Sequence, residues 1–359
     1  MRFVDVRAGN AHRRIETAKN VKKSRRFPVK LVILFLVAFF VLLSYNSIRR
    51  RGFSALLDPI SIVTSVVGSS DLLETDGRTN LLILGLDTRL GQVDSPTLTD
   101  TIIVASLGHA KNDVLMISLP RDLWVKSSSG NYSKLNAVYE LSGISDSVKV
   151  VEEILGVPVH YYAVVDFVAF TKMIEVLGGI DVDVETTFDD YYYPVEGMEN
   201  AEDLNQRYTH VHFDKGLQKM DATTALIFSR SRKGDNGEGT DFARAKRQQK
   251  VILAIRNKAL SFETLANPIK LKELYDTYKE YVQTNVGLSE IEALYQAGEK
   301  IETESIRAIV LDDRSEEAQG GLLHAPEDTT LYGGSYVLIP KVGNYSQIHA
   351  YISKFLFGE

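Results

Sequence analysis

Three short, nearly continuous apolar runs, at residues 80–86, 101–107 and 114–119, constrain this chain more than any other feature. Each is closed by polar residues or proline, the pattern of β-strands buried on both faces. Helical periodicity follows at 146–155 and 167–177, alternating with strand-like segments at 160–165 and 180–184. This alternation predicts a layered α/β/α domain with a central mixed sheet. Beyond residue 260 the pattern turns helical, at 269–282 and 288–301, then gives two late strands at 306–311 and 336–339 and a last helix near 347–357. Those strands either complete the main sheet or build a small appended lobe.

The N-terminal part obeys a different rule. Residues 31–43 (LVILFLVAFFVLL) are wholly apolar, and the uncharged stretch continues to residue 48 between Lys30 and Arg49. About 18 such residues just cross a bilayer, which predicts one transmembrane helix at 31–48. Ten Lys/Arg precede it and Arg49, Arg50 and Arg51 follow. The positive-inside rule therefore places residues 1–30 in the cytoplasm and the bulk of the chain outside, as a single-pass protein of the cell membrane. A cleaved signal peptide is the competing reading; its apolar core would be shorter, and no small-x-small cleavage site follows closely. The chain thus divides into a basic N-terminus (1–30), an anchor (31–48), a juxtamembrane spacer (49–79), a main α/β domain (80–260) and a C-terminal α/β extension (261–359). The absence of cysteine removes disulfide and thiolate chemistry without naming a compartment.

Charge sharpens the division. Thirteen of the 41 Lys/Arg lie in residues 1–51 beside only Asp5 and Glu16, which leaves 28 basic against 45 acidic residues beyond them. So acidic a domain is no general nucleic-acid surface. Against that background one cationic cluster stands out: Arg230, Arg232 and Lys233, then Asp241, Arg244, Arg247 and Gln248. Asp241, Arg244 and Gln248 fall at i, i+3 and i+7 of a helix opening at Thr240 or Asp241, with Arg247 adjacent, so their heads converge on one side. Planar, permanently charged guanidinium groups bind two phosphate oxygens at once. The bland alternative is a solvated charged face.

The strand ends add to this chemistry, because ligands bind there in open α/β sheets. Asp87 and Arg89 follow the first run, Asp100 enters the second, and Arg121 and Asp122 end the third, with Lys134 and Asn136 beyond. Asp87 and Asp100 together suit Mg²⁺, which takes one or two carboxylates plus substrate phosphate oxygens. Singly, each reads as a turn or cap residue. His210 and His212 share a strand face but lack a third metal ligand. Tyr191, Tyr192, Tyr193 and Trp124 have the shape for stacking on sugars, and plain readings as a surface loop and a partly buried aromatic. Carboxylates within 185–190 and 196–202 are not held at a glycosidase separation. No Gly-x-Ser-x-Gly elbow, Walker loop or His-Glu-x-x-His helix occurs.

The order of these motifs resembles the LytR-CpsA-Psr family of cell-envelope phosphotransferases, from about residue 80 to 252. The resemblance rests on Asp87 and Arg89, Asp100-Thr101, Pro120-Arg121-Asp122 and Lys134-Leu135-Asn136. It continues through residues 165–170, 178–182 and 216–222 to the arginine cluster. It implies an external domain on a membrane anchor that moves a glycopolymer from a polyprenyl-diphosphate carrier to peptidoglycan. It also implies that Asp87 and Asp100 place Mg²⁺, that Asp87, Arg89, Asp100, Arg121 and Asp241 are catalytic, and that an apolar tunnel under the sheet holds the lipid. Arg89, Arg121, Arg230, Arg232, Arg244 and Arg247 would hold the two phosphates, with Gln248 as a neutral contact and Lys134 as a further cation. Val138, Val148, Val151, Ile154, Phe167, Phe170, Ile174 and Leu177 are tunnel candidates that serve equally as core. One departure is Leu98, where the family usually carries arginine.

Two other readings stay open. One is hydrolysis of polyprenyl diphosphate with water as acceptor. The other is a non-catalytic protein that holds polyprenyl phosphates; Leu98 favours it, and the pair of candidate metal carboxylates speaks against it.

Overall fold

The apolar runs form β1 (Arg78–Leu86), β2 (Thr99–Gly108) and β3 (Asp113–Ser118), paired as antiparallel neighbours in a computed structural model that describes residues 71–86, 97–198, 201–312 and 321–358. The expected anchor at 31–48, together with Asp87 and Arg89, lies outside the described residues. Among the described residues no helix is long and apolar enough to cross a membrane.

A small ribbon of β4 (Trp124–Lys126) and β5 (Tyr132–Lys134) leads into α1 (Leu135–Leu155), which returns to β6 (Tyr161–Val165), parallel to β1. Helix α1 starts well before the predicted residue 146. Gly143, at φ 75°, interrupts the helical geometry, so the periodicity is legible only downstream of it. Helix α2 (Phe167–Leu177) matches its predicted span: the Asp166 side chain accepts from Ala169 N at its start, and Gly178 closes it in the left-handed conformation.

Next come β7 (Ile180–Val184), β8 (Phe188–Pro194), β9 (Tyr208–Phe213) and β10 (Gly216–Met220). They stand apart from the main sheet as two antiparallel ribbons, β7 with β10 and β8 with β9. Ile180, Val182 and Val184 alternate buried with exposed, as a ribbon packed on one face requires. Helices α3 (Ala222–Arg230) and α4 (Asp241–Ala259) follow, capped by Asp221 and Thr240.

The remainder contributes α5 (Pro268–Tyr281), β11 (Val282–Thr284), α6 (Leu288–Glu299), β12 (Ile306–Val310) and α7 (Ser346–Phe357). Strands β11 and β12 are the two edges of the main sheet, whose order is β11-β6-β1-β2-β3-β12. Residues beyond 260 therefore complete the main sheet. The expected strand at 336–339 is reduced to a two-residue pairing at Ile339–Pro340.

One face of the sheet packs Leu82, Leu84, Ile102, Val104, Leu115 and Ile117 against α1 and α7. Full burial of such a side chain stabilises by about 1.5–3 kcal/mol. The other face meets α4 through Ile103 and Met116, packed with Ile252 and Leu253. Gln249 pins that helix in place, donating to Ser118 Oγ (2.9 Å) and Ile309 O (3.0 Å). A second core joins α2, α3, α4 and both ribbons around Phe188, Phe213 and Phe228.

Candidate functional site

Between the second sheet face and its covering helices the protein leaves a cavity of about 380 Å³. Its floor is Leu81, Ile83 and Gly85 of β1, Ala163 and Val165 of β6, and Val282 of β11. Its roof is Phe167, Phe170 and Met173 of α2, Leu226 of α3, and Val251, Ile252 and Ile255 of α4. Gly85 is required by close approach, since a Cβ there would lie 2.8 Å from Thr101 Cβ. Of the tunnel candidates, Phe167 and Phe170 line this cavity. Val138, Val151 and Ile154 belong to the core on the opposite sheet face, with Val148 packed against it, and Ile174 and Leu177 belong to the second core.

One end of this apolar space is polar. Asp100, Arg230, Arg232, Arg244 and Gln248 border it, brought there from β2, α3, the loop after α3, and α4. Arg230 lies 4.3 Å over the Phe167 ring, so it joins the cationic end to the apolar wall. Arg244 is only 5% exposed and has Asp241 as its ion-pair partner at 3.0 Å. Burial lowers its pKa to about 10; Asp241 opposes the shift, while Arg121 and Arg232 add to it. A guanidinium so held is charged at neutral pH and short of compensating anions. Asp241, a catalytic candidate, also lies 3.8 Å from Arg232, so its contacts position two cations.

Arg121, just after β3 and expected as a phosphate contact, does not itself border the cavity but pairs with Asp100, which does. Its Nη1 donates to both carboxylate oxygens of Asp100, at 2.9 and 3.0 Å. Burial lowers the Arg121 pKa, but Asp100, by charge and hydrogen bond, with Asp122 and Asp241, outweighs that and raises it. Its buried Nε lies 3.3 Å from Asp122 and has no well-formed hydrogen bond.

Two other expected phosphate contacts are directed elsewhere. Arg247, 3% exposed, donates to Phe228 O and Glu238 O (both 2.9 Å) and pairs with Glu238, while its guanidinium packs over Phe188. Three residues on from Arg244, it is rotated about 60° from the helix stripe that carries Arg244 and Gln248. Its role is to hold the loop between α3 and α4. Lys134 is paired with Asp122 at 2.7 Å and does not border the cavity. Leu98 is half-buried and also absent from the cavity lining.

Asp190 is a residue that sequence reasoning passed over. It is 1% exposed and accepts from Ser231 Oγ (2.6 Å), Arg232 N (3.2 Å), Lys233 N (3.1 Å) and Tyr192 N (2.9 Å). One buried carboxylate thus fixes the loop that presents Arg232, directly after the helix end that carries Arg230. The only sequence signal was its place in an acidic run. Elsewhere, His210 and His212 both contact Asp189, at 2.6 and 2.8 Å, on an exposed ribbon. Among the described residues no cluster of three His, Cys, Asp or Glu is arranged to hold a metal.

The sequence profile of the LytR_cpsA_psr family matches residues 57–332. The chain belongs to this family. It is 32% identical over 216 residues to the polyisoprenyl-teichoic acid–peptidoglycan teichoic acid transferase TagV of Bacillus subtilis (strain 168), an alignment covering 58% of this chain and 51% of TagV. The chain thus spans about half the length of that relative. It is 28% identical over 295 residues to the transferase TagU of Oceanobacillus iheyensis, covering 77% and 82% of the two chains. The crystal structure of B. subtilis TagV superposes with a TM-score of 0.58 at 25% identity, covering 79% of this chain and 98% of that one. The family's mixed α/β fold is therefore the fold found here.

Proposed function

We propose that this LytR_cpsA_psr protein is an extracytoplasmic, single-pass membrane phosphotransferase that moves a glycopolymer from a polyprenyl-diphosphate carrier to peptidoglycan. The observation that carries this reading is the apolar cavity with Arg230, Arg232 and Arg244 at one end. Such a site fits a ligand that is hydrocarbon at one end and polyanionic at the other. The relatives TagV and TagU, named as teichoic acid transferases, support the same class of reaction.

In this reaction an acceptor hydroxyl, releasing its proton to solvent, attacks the glycan-bearing phosphorus. Its P–O bond to the bridging oxygen breaks, and polyprenyl monophosphate leaves. Charge accumulates on the phosphate oxygens, so positioning and neutralisation carry the rate. Arg244 supplies a fixed, poorly solvated charge, Arg230 and Arg232 flank it, and Asp241 orients Arg232 and Arg244. Arg121 holds the Asp100 carboxylate toward the cavity.

Mg²⁺ fits this donor set. Asp100 borders the cavity, and its oxygens keep lone pairs beyond those used by Arg121. Asp87, in the adjoining segment, would be the second carboxylate, and Arg89 there a further phosphate contact. The bound ion would neutralise charge on the phosphate oxygens.

The test uses the full chain in detergent, a prenyl-diphosphate-linked labelled glycan and peptidoglycan. Label should move to peptidoglycan in a Mg²⁺-dependent way, and Asp100→Asn should slow transfer at least tenfold, about 1.4 kcal/mol. Release of free phosphorylated glycan without attachment would favour the hydrolase. Tight binding with no turnover would favour the non-catalytic carrier.

A further inference from the structure

Away from its arginines the apolar cavity leads toward one end of the sheet, and several elements converge there. Helices α2 and α4 both start at the cationic mouth, capped by Asp166 and Thr240, and they end at Leu177 and Ala259. Met173 and Ile255 line the cavity along the way. Lys270 Nζ donates to Leu177 O (3.1 Å), which ties the start of α5 to the end of α2. Near the end of α4, Arg256 donates to Gly298 O (2.6 Å) and Ile301 O (2.9 Å), on the approach to β12. The first residue of that strand, Ile306, pairs with Val114 at the end of β3 opposite the mouth. The described residues also begin at this end, where Leu73 N donates to Tyr161 Oη (3.0 Å) at the start of β6.

This end is apolar on its outside as well. Phe262 is 86% exposed, Ile269 69% and Leu271 40%. The backbone that presents them is well tied. Fully buried Thr264 donates to Lys258 O (2.8 Å), and the Asn267 side chain accepts from Ile269 N and Lys270 N, both at 3.1 Å. An ordered turn that holds a phenylalanine out of the core marks a surface that another apolar phase covers.

Charge identifies that phase. Residues 256–272 carry Arg256, Lys258, Lys270 and Lys272 against Glu263 alone, in a chain whose remainder beyond residue 51 is acidic. Lys258 and Lys270 share Glu263 (2.6 and 3.3 Å), Lys272 pairs with Asp276, and Arg256 donates to Asn257 Oδ1 and the two carbonyls, all neutral acceptors. Apolar side chains ringed by surplus cations fit the headgroup region of an anionic bilayer, into which such a face sinks about 5–10 Å. A second copy would bring the same cations against these, so like charges would meet.

We propose that Phe262, Ile269 and Leu271, with Lys258, Lys270 and Lys272, form a bilayer-docking face. It turns the end of the cavity away from the arginines toward the acyl chains, so that a prenyl chain passes between bilayer and cavity without crossing water. This inference rests on the membrane and donor reading given above.

The chain has no cysteine, so one introduced thiol takes one nitroxide label. The test places the full chain in nanodiscs of phosphatidylcholine and phosphatidylglycerol, labelled at Phe262→Cys or at Leu331→Cys. Leu331 is 80% exposed and adjoins Tyr332, whose ring meets Trp124 beyond the mouth end of β3. Spin-label relaxation then compares access of oxygen, which concentrates among acyl chains, with access of a nickel chelate, which stays in water. The oxygen-to-nickel ratio at 262 should exceed that at 331 at least fivefold, and Ile269→Asp with Leu271→Asp should erase the difference. Equal ratios at the two positions, or a difference that survives the aspartates, overturns the docking face; incorporation of the chain into the discs would still support the membrane reading. A chain that does not incorporate overturns the membrane reading and the docking face with it. Spin–spin broadening of the 262 label in detergent, removed by dilution with unlabelled chain, would assign the face to a second copy and overturn the proposal.

Discussion

Both faces of the central sheet are apolar, yet protein fills one of them around β1 and leaves the other open there, although α4 packs on that second face at Ile103 and Met116. On β1, Leu82 and Leu84 are 0% and 2% exposed against α1 and α7, whereas Leu81 and Ile83, their sequence neighbours, border the cavity. Apolar surface gains about 25 cal/mol per Å² when it leaves water, so an uncovered apolar wall inside a folded domain is unfavourable unless a ligand covers it. The same contrast recurs between two arginines of α4. Arg247 has its donors matched to carbonyls and Glu238, while Arg244 is buried with Asp241 as its ion-pair partner. Around Leu82 and Arg247 protein supplies the contacts; around Leu81 and Arg244 both hydrocarbon and charge are left for a ligand.

The largest expected difference lies within one strand. Leu82→Ala should cost about 2–5 kcal/mol, the range for a core leucine, while Leu81→Ala should cost about 1 kcal/mol or less because that side chain already borders empty space. Urea unfolding at an unchanged slope measures both. Equal losses would break the comparison, because they would mean that Leu81 is ordinary core.

The arginine pair gives a smaller effect. Arg247→Met strands the Glu238 carboxylate and the carbonyls of Phe228, Ser231 and Glu238, so stability should fall by about 3 kcal/mol. Arg244→Met should stay within about 1 kcal/mol of the wild type and lower farnesyl diphosphate affinity at least tenfold. If Arg244→Met unfolds the domain and Arg247→Met does not, the two roles have been exchanged.

Smaller still is a pH effect. With the Arg244 pKa lowered to about 10 from 12.5, the unfolded chain keeps a proton that the unliganded fold has lost between those values. Stability of the unliganded domain should therefore rise with pH across that window. A bound diphosphate favours the charged form, so affinity should fall across the same window. Titration calorimetry at pH 9 and 10.5 should show this extra fall, about fourfold, in the wild type and not in Arg244→Met; parallel slopes would remove Arg244 from the site.

How far the sequence reaches follows from the range of the forces involved. Strands β1, β2, β3 and β6 and helix α2 were legible, because apolar runs and an Asp166 cap are local signals. The start of α1 was hidden by Gly143. The independent pairing of β7 with β10 was hidden because a short alternating strand looks the same in either sheet. Within the site, Arg230, Arg232, Arg244 and Gln248 were found by clustering and helical spacing. Arg247 was misplaced because Phe228 O and Glu238, its partners, lie 19 and 9 residues away. Asp190 was missed for the same reason, being more than 40 residues from the loop it holds. Which apolar face stays open depends on how helices and ribbons cover the sheet, and Leu81 and Leu82 carry no local sign of it.

The most direct test is the lipid that the chain itself retains. Mass spectrometry of lipid extracted from full-length protein purified from its own membranes should show a polyprenyl phosphate or diphosphate at close to one per chain. Ala163→Leu, which adds bulk to a residue bordering the cavity, should fold normally and carry at least tenfold less. Equal amounts in both proteins, or only a mixture of bulk phospholipids in each, would contradict the claim that the open face of the sheet is a polyprenyl-diphosphate site.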